Sequence, residues 1–353
     1  MNPGNCVSSR AEMPSRAAAI SILLPVRNAA ETLPNAIEST LSQTFQDWEM
    51  ILVDDGSADE SRKITQRYRQ RDKRIHLIQN PEAGIVKALQ AGCAASSAPL
   101  IARMDADDVM HPERLHKQVE FLERHPEIGL VACLVNYGGN RTAQAGYAEH
   151  VDWINSLVTP EEIYLRRFVE SPAAHPSVMF RTQLLKEHGG YQSGDFPEDY
   201  ELWLRWMNAG VRFGKVEAQL LTWNDPPSRL SRVNPRYSVE AFYGTKCRYL
   251  ALWLQRKIVG RRSVWLWGAG RITRKRFAAL EQHGVRIEGF IDIDLGKIGK
   301  QRDGRPVLPP EKMPPAREAF ILAGVGTRGA RTLIQAELNA NNRVEGQDYL
   351  LAA

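Results

Sequence analysis

From residue 20 to 135, short apolar runs alternate with amphipathic segments. The runs are "ISILLPV", "WEMILVDD", "RIHLIQN", "PLIARM" and "IGLVACLV". Between them lie "AAETLPNAIESTLSQT", "ADESRKITQRYRQR", "GIVKALQAGCAAS" and "HPERLHKQVEFLERHP". Runs of this length predict buried strands, and the segments between them have helical length. The pattern therefore predicts βαβ crossovers and a mostly parallel, doubly wound α/β sheet covered on both faces. Such sheets bind ligands at the carboxyl ends of their strands. The polar residues found there are "RN" (27, 28), "DDGS" (54–57) and "DADD" (105–108), and they should converge on one crevice.

Beyond residue 135 the rhythm loosens to α+β. "GGNRTAQAG" reads as a Gly-rich loop, "PEEIYLRRFV" as a helix, "HPSVMFR" as a strand and "PEDYELWLRWMNAG" as a helix stopped by Gly. "WNDPPSRLSRVNPRYS" (223–238) has the composition of an ordered surface loop or lid. A long helical pattern, "SVEAFYGTKCRYLALWLQRK", then leads into a second α/β region. There "SVWLWGAGRITRKR" carries Gly268 and Gly270 at a helix start, and Asp292 ends the next strand, in the layout of a Rossmann-type unit. Thr273 stands where the fingerprint has its third glycine, so a Rossmann-like fold is expected there without a bound dinucleotide.

With 43% hydrophobic and 25% charged residues in 353, the chain can bury two or three cores and has no apolar run long enough to cross a bilayer. "MNPGNCVSSRAEMPSRAAA" lacks a continuous apolar stretch and reads as a disordered leader, which makes a cytoplasmic location the default. Cys6, Cys93, Cys133 and Cys247 are too far apart to suggest disulfides or a zinc site. The net charge of +5 gathers in "RYLALWLQRKIVGRR" and "RITRKR". These stretches are not interleaved with aromatics on a nucleic-acid module, so solvated helix faces account for them and no nucleic-acid partner is expected. They leave room for peripheral contact with the inner face of a membrane and for self-association.

Asp105, Asp107 and Asp108 within four positions would repel by several kcal/mol, on the order of the Coulomb energy in a partly buried loop, unless a cation or a proton intervenes. Hard oxygen ligands suit Mg²⁺ or Mn²⁺, which leaves positions for substrate phosphates. A diphosphate ligand fits such a site, although capping of the helix that follows would also use one of these carboxylates. In "EMILVDDGSADES", Asp54 and Asp55 end a strand, where a carboxylate can accept from the imide N–H of a uracil-type base, or serve turn and cap chemistry.

"ISILLPVRN", "EMILVDDGSADES", "PLIARMDADDVMHPERL", "HPSVMF" and "PEDYELWLRW" together resemble, in order and approximate spacing, glycosyltransferase family 2, the inverting nucleotide-sugar transferases of GT-A fold. The resemblance spans about residues 20–225. It implies a GT-A-type doubly wound mixed sheet followed by a smaller Rossmann-like α/β domain. The expected division is a leader over 1–19, the transferase domain over 20–235, a helical linker over 236–261 and the Rossmann-like domain over 262–353.

The same resemblance assigns residues. Pro25, Arg27, Asn28 and Asp55 border the nucleotide base, with Asp54 beside it. Asp105 and Asp107 form the DXD motif that holds Mn²⁺ or Mg²⁺ and the donor diphosphate, and Asp108 supports their loop. Asp199 is the general base, with Glu198 as the other carboxylate in reach, and His175 lies toward the acceptor. Where many relatives carry Ala-Arg-Asn, this chain reads "ALQ" (88–90), so Lys87 is the expected substitute contact to the donor. The usual basic residue near "TWNDPPSRLSR" is displaced, which leaves Arg229 and Arg232 both in play. Trp203 and Trp206 read as core rather than as a sugar platform.

The activity implied is transfer of a sugar from a nucleotide diphosphate donor, UDP-linked by expectation, to a hydroxyl of a glycan or lipid-linked acceptor in cell-surface polysaccharide assembly. A sugar-phosphate nucleotidyltransferase would want a Gly-rich, Arg-Lys-bearing loop after the first strand, where this chain has "PVRNAAETL". A non-catalytic nucleotide-sugar sensor would have no need of Asp199. The C-terminal unit resembles small Rossmann-like domains appended to sugar-modifying enzymes, through "WGAGRITR", "GFIDID" and "RPVLPPEKM"; regulation, dimer formation and docking of a partner enzyme are all open to it.

Overall fold

The structure is a computed structural model that describes residues 18–226 and 229–353. The expected leader lies outside the described residues except for its last two positions, as does Cys6; Cys93, Cys133 and Cys247 are free thiols.

Eight strands build the first sheet: β1 Ile20–Val26, β2 Trp48–Asp54, β3 Ile75–Gln79, β4 Leu100–Arg103, β5 Val109–Met110, β6 Ile128–Tyr137, β7 Met179–Arg181 and β8 Arg212–Trp223. Their order is β3-β2-β1-β4-β7-β6-β8-β5. The first four pair in parallel, as the crossover helices require, and every residue of β1 is buried. β7 then runs antiparallel to both β4 and β6, and β5 antiparallel to β8, so the sheet is mixed. The "HPSVMFR" segment is only half a strand: residues 175–177 form a 3₁₀ turn before β7 begins. Pro176 has no N–H to give to a ladder.

Register sets the strand ends side by side. Val26 pairs with Asp54, and Leu23 with Arg103. The loops that follow β1, β2 and β4 therefore open at one edge, which is the crevice the alternating pattern predicts.

A second, six-stranded sheet follows, made of β9 Ser263–Trp267, β10 Ile287–Ile291, β11 Gln301–Arg302, β12 Arg305–Leu308, β13 Ala319–Ala323 and β14 Tyr349–Leu351, in the order β11-β12-β10-β9-β13-β14. All its pairings are parallel except β11 with β12. The helix Val239–Lys257 lies between the two sheets and buries Cys247, Leu250, Ala251 and Leu254. These residues share one hydrophobic core with Phe168, Tyr200 and Leu204 of the first unit and with Leu266, Phe290 and Phe320 of the second. The helix is thus a wall common to both sheets.

Candidate active site

The carboxyl ends of β1, β2 and β4 open onto a cleft of about 1330 Å³. Pro25, Arg27, Asn28, Asp55, Asp105, Asp107, His175, Glu198 and Asp199 all line it.

On the β1–β2 side, Asn28 takes a positive φ of 49° and its Oδ1 accepts from the Ala58 N–H at 2.8 Å. Asn tolerates this left-handed turn better than most residues. The loops after β1 and β2 are thereby tied together. Asp55 is buried; its Oδ1 accepts from Gly84 N–H at 2.7 Å and from the Asn80 amide at 2.6 Å. Its Oδ2 faces Arg27 at 3.7 Å. Asp54 turns away from the cleft to cap the Gly-Ser turn, accepting from Ser57 N–H at 3.0 Å.

Lys87 is a correction. It ion-pairs with Glu82 at 2.9 Å and is not among the cleft-lining residues. Gly84 and Ile85 face the cleft at the start of the helix Ile85–Ala95, and two positions further the helix has turned by about 200°. Lys87 is carried to the outside.

The three aspartates after β4 bring carboxylate oxygens within 4.8 Å of one another. Each has its own restraint. Asp105 Oδ1 accepts from Arg103 Nη2 at 2.6 Å. Asp108 Oδ1 accepts from Asn224 N–H at 2.8 Å, and the Asn224 amide donates to the Asp107 carbonyl at 2.6 Å. Neither Asp107 nor Asp108 caps the helix Arg114–Arg124 that follows, which starts from Glu113 without a side-chain cap. Crowding shows in the electrostatics. Burial first, and then Asp105, push the Asp107 carboxyl up to about 6; burial and the two neighbouring aspartates push Asp108 well up. Asp108 Oδ2 is buried without a hydrogen-bond partner among the described residues. An orphaned carboxylate oxygen beside two others is the donor set a small divalent cation completes, so Mn²⁺ or Mg²⁺ fits here.

Asp199 occupies the first turn of the helix Glu198–Asn208, which is anchored one and two turns further on, along the same face, by the fully buried Trp203 and Trp206. These tryptophans are core: Trp203 packs edge-on to His175 and Phe213, and Trp206 to Phe180. The helix thereby holds its acidic end at the cleft. Asp199 Oδ1 accepts from Tyr200 N–H at 2.7 Å. Burial, with the Glu198 charge second, pushes its carboxyl up to about 7. Glu198 accepts from the Tyr237 hydroxyl at 2.9 and 2.8 Å and has Arg236 at 3.8 Å. His175 is buried, exchanges a hydrogen bond with the Tyr191 hydroxyl at 2.7 Å, and is held well below its usual range by burial and then by Arg103. Its imidazole is neutral and braces Tyr191.

Two features escaped the sequence reading. Arg103, 2% exposed, is the cation that the acidic loop demanded, and it is supplied from within β4 itself. The "RM" before "DADD" was the available signal. Tyr237 and Arg236, which hold Glu198, arrive from a turn some forty residues along the chain and carry no local signal. Arg229 and Arg232 both line the cleft; Asp225 engages Arg232 at 2.5 Å and Arg229 at 3.7 Å, and Arg229 lies over Trp223 at 4.0 Å. In the second unit, Asp292 accepts from Ala269 N–H at 2.9 Å and pairs with Lys297 at 3.2 Å. The carboxylate that would meet a dinucleotide ribose is thus already engaged.

Comparison with known proteins agrees with this geometry. The model of Glycosyl transferase family 2 matches residues 21–189. The amylovoran biosynthesis glycosyltransferase AmsE of Erwinia amylovora is 31% identical over 197 residues, covering 54% of this chain and 70% of that protein. The O-antigen biosynthesis glycosyltransferase WbnJ of Escherichia coli is 26% identical over 245 residues, 68% of this chain and 91% of the relative. Among solved structures, S. aureus TarS 1-349 in complex with UDP-GlcNAc shares the fold, with a TM-score of 0.51 at 16% identity over 75% of this chain and 72% of that one. The matched residues hold most of the first sheet and the acidic loop at the end of β4, and relatives 31% identical are covered over 70% or more of their length: the chain belongs to glycosyltransferase family 2.

Proposed function

We propose that this glycosyltransferase moves one sugar from a nucleotide diphosphate donor to a hydroxyl of a glycan or lipid-linked acceptor, with inversion, in the assembly of a cell-surface polysaccharide. The observation that carries the reading is the pairing, in one cleft, of the Asp105–Asp107–Asp108 cluster with an Asp199 carboxyl poised near neutrality. A base works best when its pKa lies close to the working pH. Asp199 takes the proton of the acceptor hydroxyl as that oxygen attacks the anomeric carbon. The bond to the diphosphate breaks on the opposite face, its electron pair leaves with the diphosphate oxygen, and configuration inverts. No covalent intermediate is required.

Asp105 and Asp107, with Asp108 behind them, would hold Mn²⁺ or Mg²⁺, which when bound supplies electrostatic stabilisation of the departing diphosphate. Arg229, held beside Asp225 and over Trp223, is close enough to act on Asp107 and Asp108 and so stands near the same charge. Asp55 Oδ2 is the acceptor available to a uracil imide, and the UDP-GlcNAc held by the S. aureus neighbour supports a UDP-linked donor. Among the described residues no helix is long and apolar enough to cross a membrane. Residues 20–235 carry the transfer chemistry in this proposal.

The test is a panel of nucleotide sugars with Mn²⁺, followed by thermal shift and by release of nucleoside diphosphate. One donor class should stabilise the protein only with metal, and Asp199→Asn should keep donor binding while losing turnover. Normal turnover in Asp199→Asn would overturn the mechanism.

A further inference from the structure

The cleft does not stop at the first sheet. Its wall continues through Tyr243 and Lys246 of the helix between the sheets to Arg276, Gly326 and Arg331 of the second unit. At about 1330 Å³ it exceeds the roughly 300–1,000 Å³ of a single-ligand pocket, so donor and acceptor can lie end to end. The second unit is not loosely hung beside it. Lys246 Nζ donates to the Val169 carbonyl at 2.8 Å and to the Ala352 carbonyl at 2.9 Å, and ion pairs join Arg166 to Glu345 and Arg328 to Glu149.

The far wall is basic. In "RITRKR", Arg274 pairs with Asp303 at 2.5 Å and Lys275 approaches Glu240 at 3.9 Å. Arg276, the cleft-facing cation of this stretch, has no carboxylate within 4 Å among the described residues and lies 4.9 Å from the Tyr243 ring centre. Arg331 pairs with no Asp or Glu within 4 Å among the described residues; its Nε donates to the oxygen of Ala353, the last residue of the sequence, at 3.0 Å, and its guanidinium lies 5.7 Å from the Trp153 ring centre. The acid on this wall is Glu170, taken up by His150 at 3.4 Å. Burial pulls the Glu170 carboxyl up, yet His150, Lys246 and Arg331 hold it below its usual range, so the local field is positive. A Cβ on Gly326 would lie 3.5 Å from Arg276 Nη1, an ordinary contact, so the glycine leaves room for about one methyl group beside that guanidinium.

We propose that the second unit completes the acceptor end of the cleft, with Arg276 and Arg331 receiving a phosphate or diphosphate ester carried by the acceptor. Two forked guanidiniums without Asp or Glu partners, one of them with its Nη groups still to be matched, suit tetrahedral phosphate oxygens, which accept several parallel N–H bonds. The assignment rests on the transferase reading of the same cleft, because it gives the acceptor its direction of approach.

The experiment is calorimetric titration of the full chain, with and without saturating UDP and Mn²⁺. The probes are geranyl diphosphate, glucose 1-phosphate and uncharged octyl glucoside. At least one phosphorylated probe should bind with the donor side filled, and binding should weaken with salt. Arg276→Gln with Arg331→Gln should weaken it by about tenfold or more, as expected for lost charge-assisted hydrogen bonds. The double Lys variant should recover part of it, and UDP affinity should serve as the folding control in every variant. Binding of geranyl diphosphate alone identifies a lipid diphosphate as the source; binding of glucose 1-phosphate as well makes the phosphate itself sufficient. Equal binding of octyl glucoside, or phosphate-ester affinity unchanged in the double Gln variant, overturns the proposal. Arginine-dependent ester binding in a protein that ignores UDP would instead keep this subsite and remove the donor reading.

Discussion

Replacing Glu198 with Gln should move the acid limb of the pH–rate profile downward. Glu198 and Asp199 are adjacent carboxylates in one partly buried first turn, and they lose their protons in two steps that belong to the pair. Glu198, with two hydrogen bonds from Tyr237 and Arg236 nearby, is the one better equipped to carry the first negative charge. Asp199 then ionises against it, near 7 rather than near 4, a difference worth about 4 kcal/mol against its charged form. Burial is the larger cause and Glu198 the second. For carboxylates roughly 6 Å apart at an effective dielectric of about 20, the repulsion is at most about 3 kcal/mol. Tyr237 and Arg236 already draw off part of the Glu198 charge, so a downward shift on the order of one pH unit is expected.

In the wild type, the rate should fall about tenfold per pH unit below 7, leaving roughly a tenth of the plateau at pH 6. Glu198→Gln should retain about half of its own plateau there. The assay is initial-rate release of nucleoside diphosphate from pH 5 to 9 at several Mn²⁺ concentrations. That last variable matters because Asp107 titrates near 6. A limb caused by metal loss moves with Mn²⁺ concentration, whereas one caused by Asp199 does not. A metal-independent midpoint that stays near 7 in Glu198→Gln would refute the argument that the Glu198 charge sets it.

Three further outcomes follow from the same geometry. Asp107 holds its proton more tightly folded than unfolded, so between about 4 and 6 the native state binds more protons and metal-free stability declines as pH rises through that window. Asp107→Asn should therefore raise the metal-free Tm at pH 7.5 while abolishing the rise that Mn²⁺ gives the wild type. Arg103→Met removes the buried partner of Asp105 and should cost about 3 kcal/mol in urea unfolding, the scale for breaking a buried pair; a cost under about 1 kcal/mol would mean that the pair is screened by water. Trp203→Ala empties a fully buried site and should cost about 3–5 kcal/mol, with donor affinity unchanged where the protein stays folded. A selective loss of donor affinity would make Trp203 a ligand platform after all.

What could be read from the sequence was whatever strand register alone determines. The apolar runs ending in Asn28, Asp55 and Asp105 had to be parallel neighbours, and parallel neighbours bring their carboxyl ends to one edge. Helical phase was harder. Lys87 was assigned by its place in a motif, yet it lies two positions past the cleft-facing Ile85 and points out. Contacts that close over long loops left no local trace: Asn224 reaches back 116 positions to hold Asp108. The helix over 239–257 looked like a connector because its pattern has no single apolar face. It has none because it is packed on two sides, against Tyr200 and Leu204 on one and Leu266 and Phe320 on the other.

Arg103 is where the charge question of "DADD" and the base question of Asp199 become one problem. Three aspartates, Glu198 and Asp199 would leave the cleft strongly anionic, and the sequence reading looked outside the chain for compensation. The structure buries Arg103 within electrostatic reach of both groups, and Arg114, also fully buried, within reach of Asp105 and Asp108. Arg103 binds Asp105 directly, and its charge lowers the proton affinity of Asp107, of Asp199 and of His175. Its influence on Asp199 and Asp107 is smaller than that of burial, so both carboxyls still sit above their ordinary range. A fixed guanidinium on β4 is therefore partial compensation: it pairs with Asp105 directly, yet it leaves Asp107 and Asp199 above their ordinary range, where a divalent ion is still favourable and Asp199 is still a usable base. Any substitution that strengthens the positive charge there should loosen metal binding and lower the Asp199 midpoint together, because both groups answer to the same buried cation.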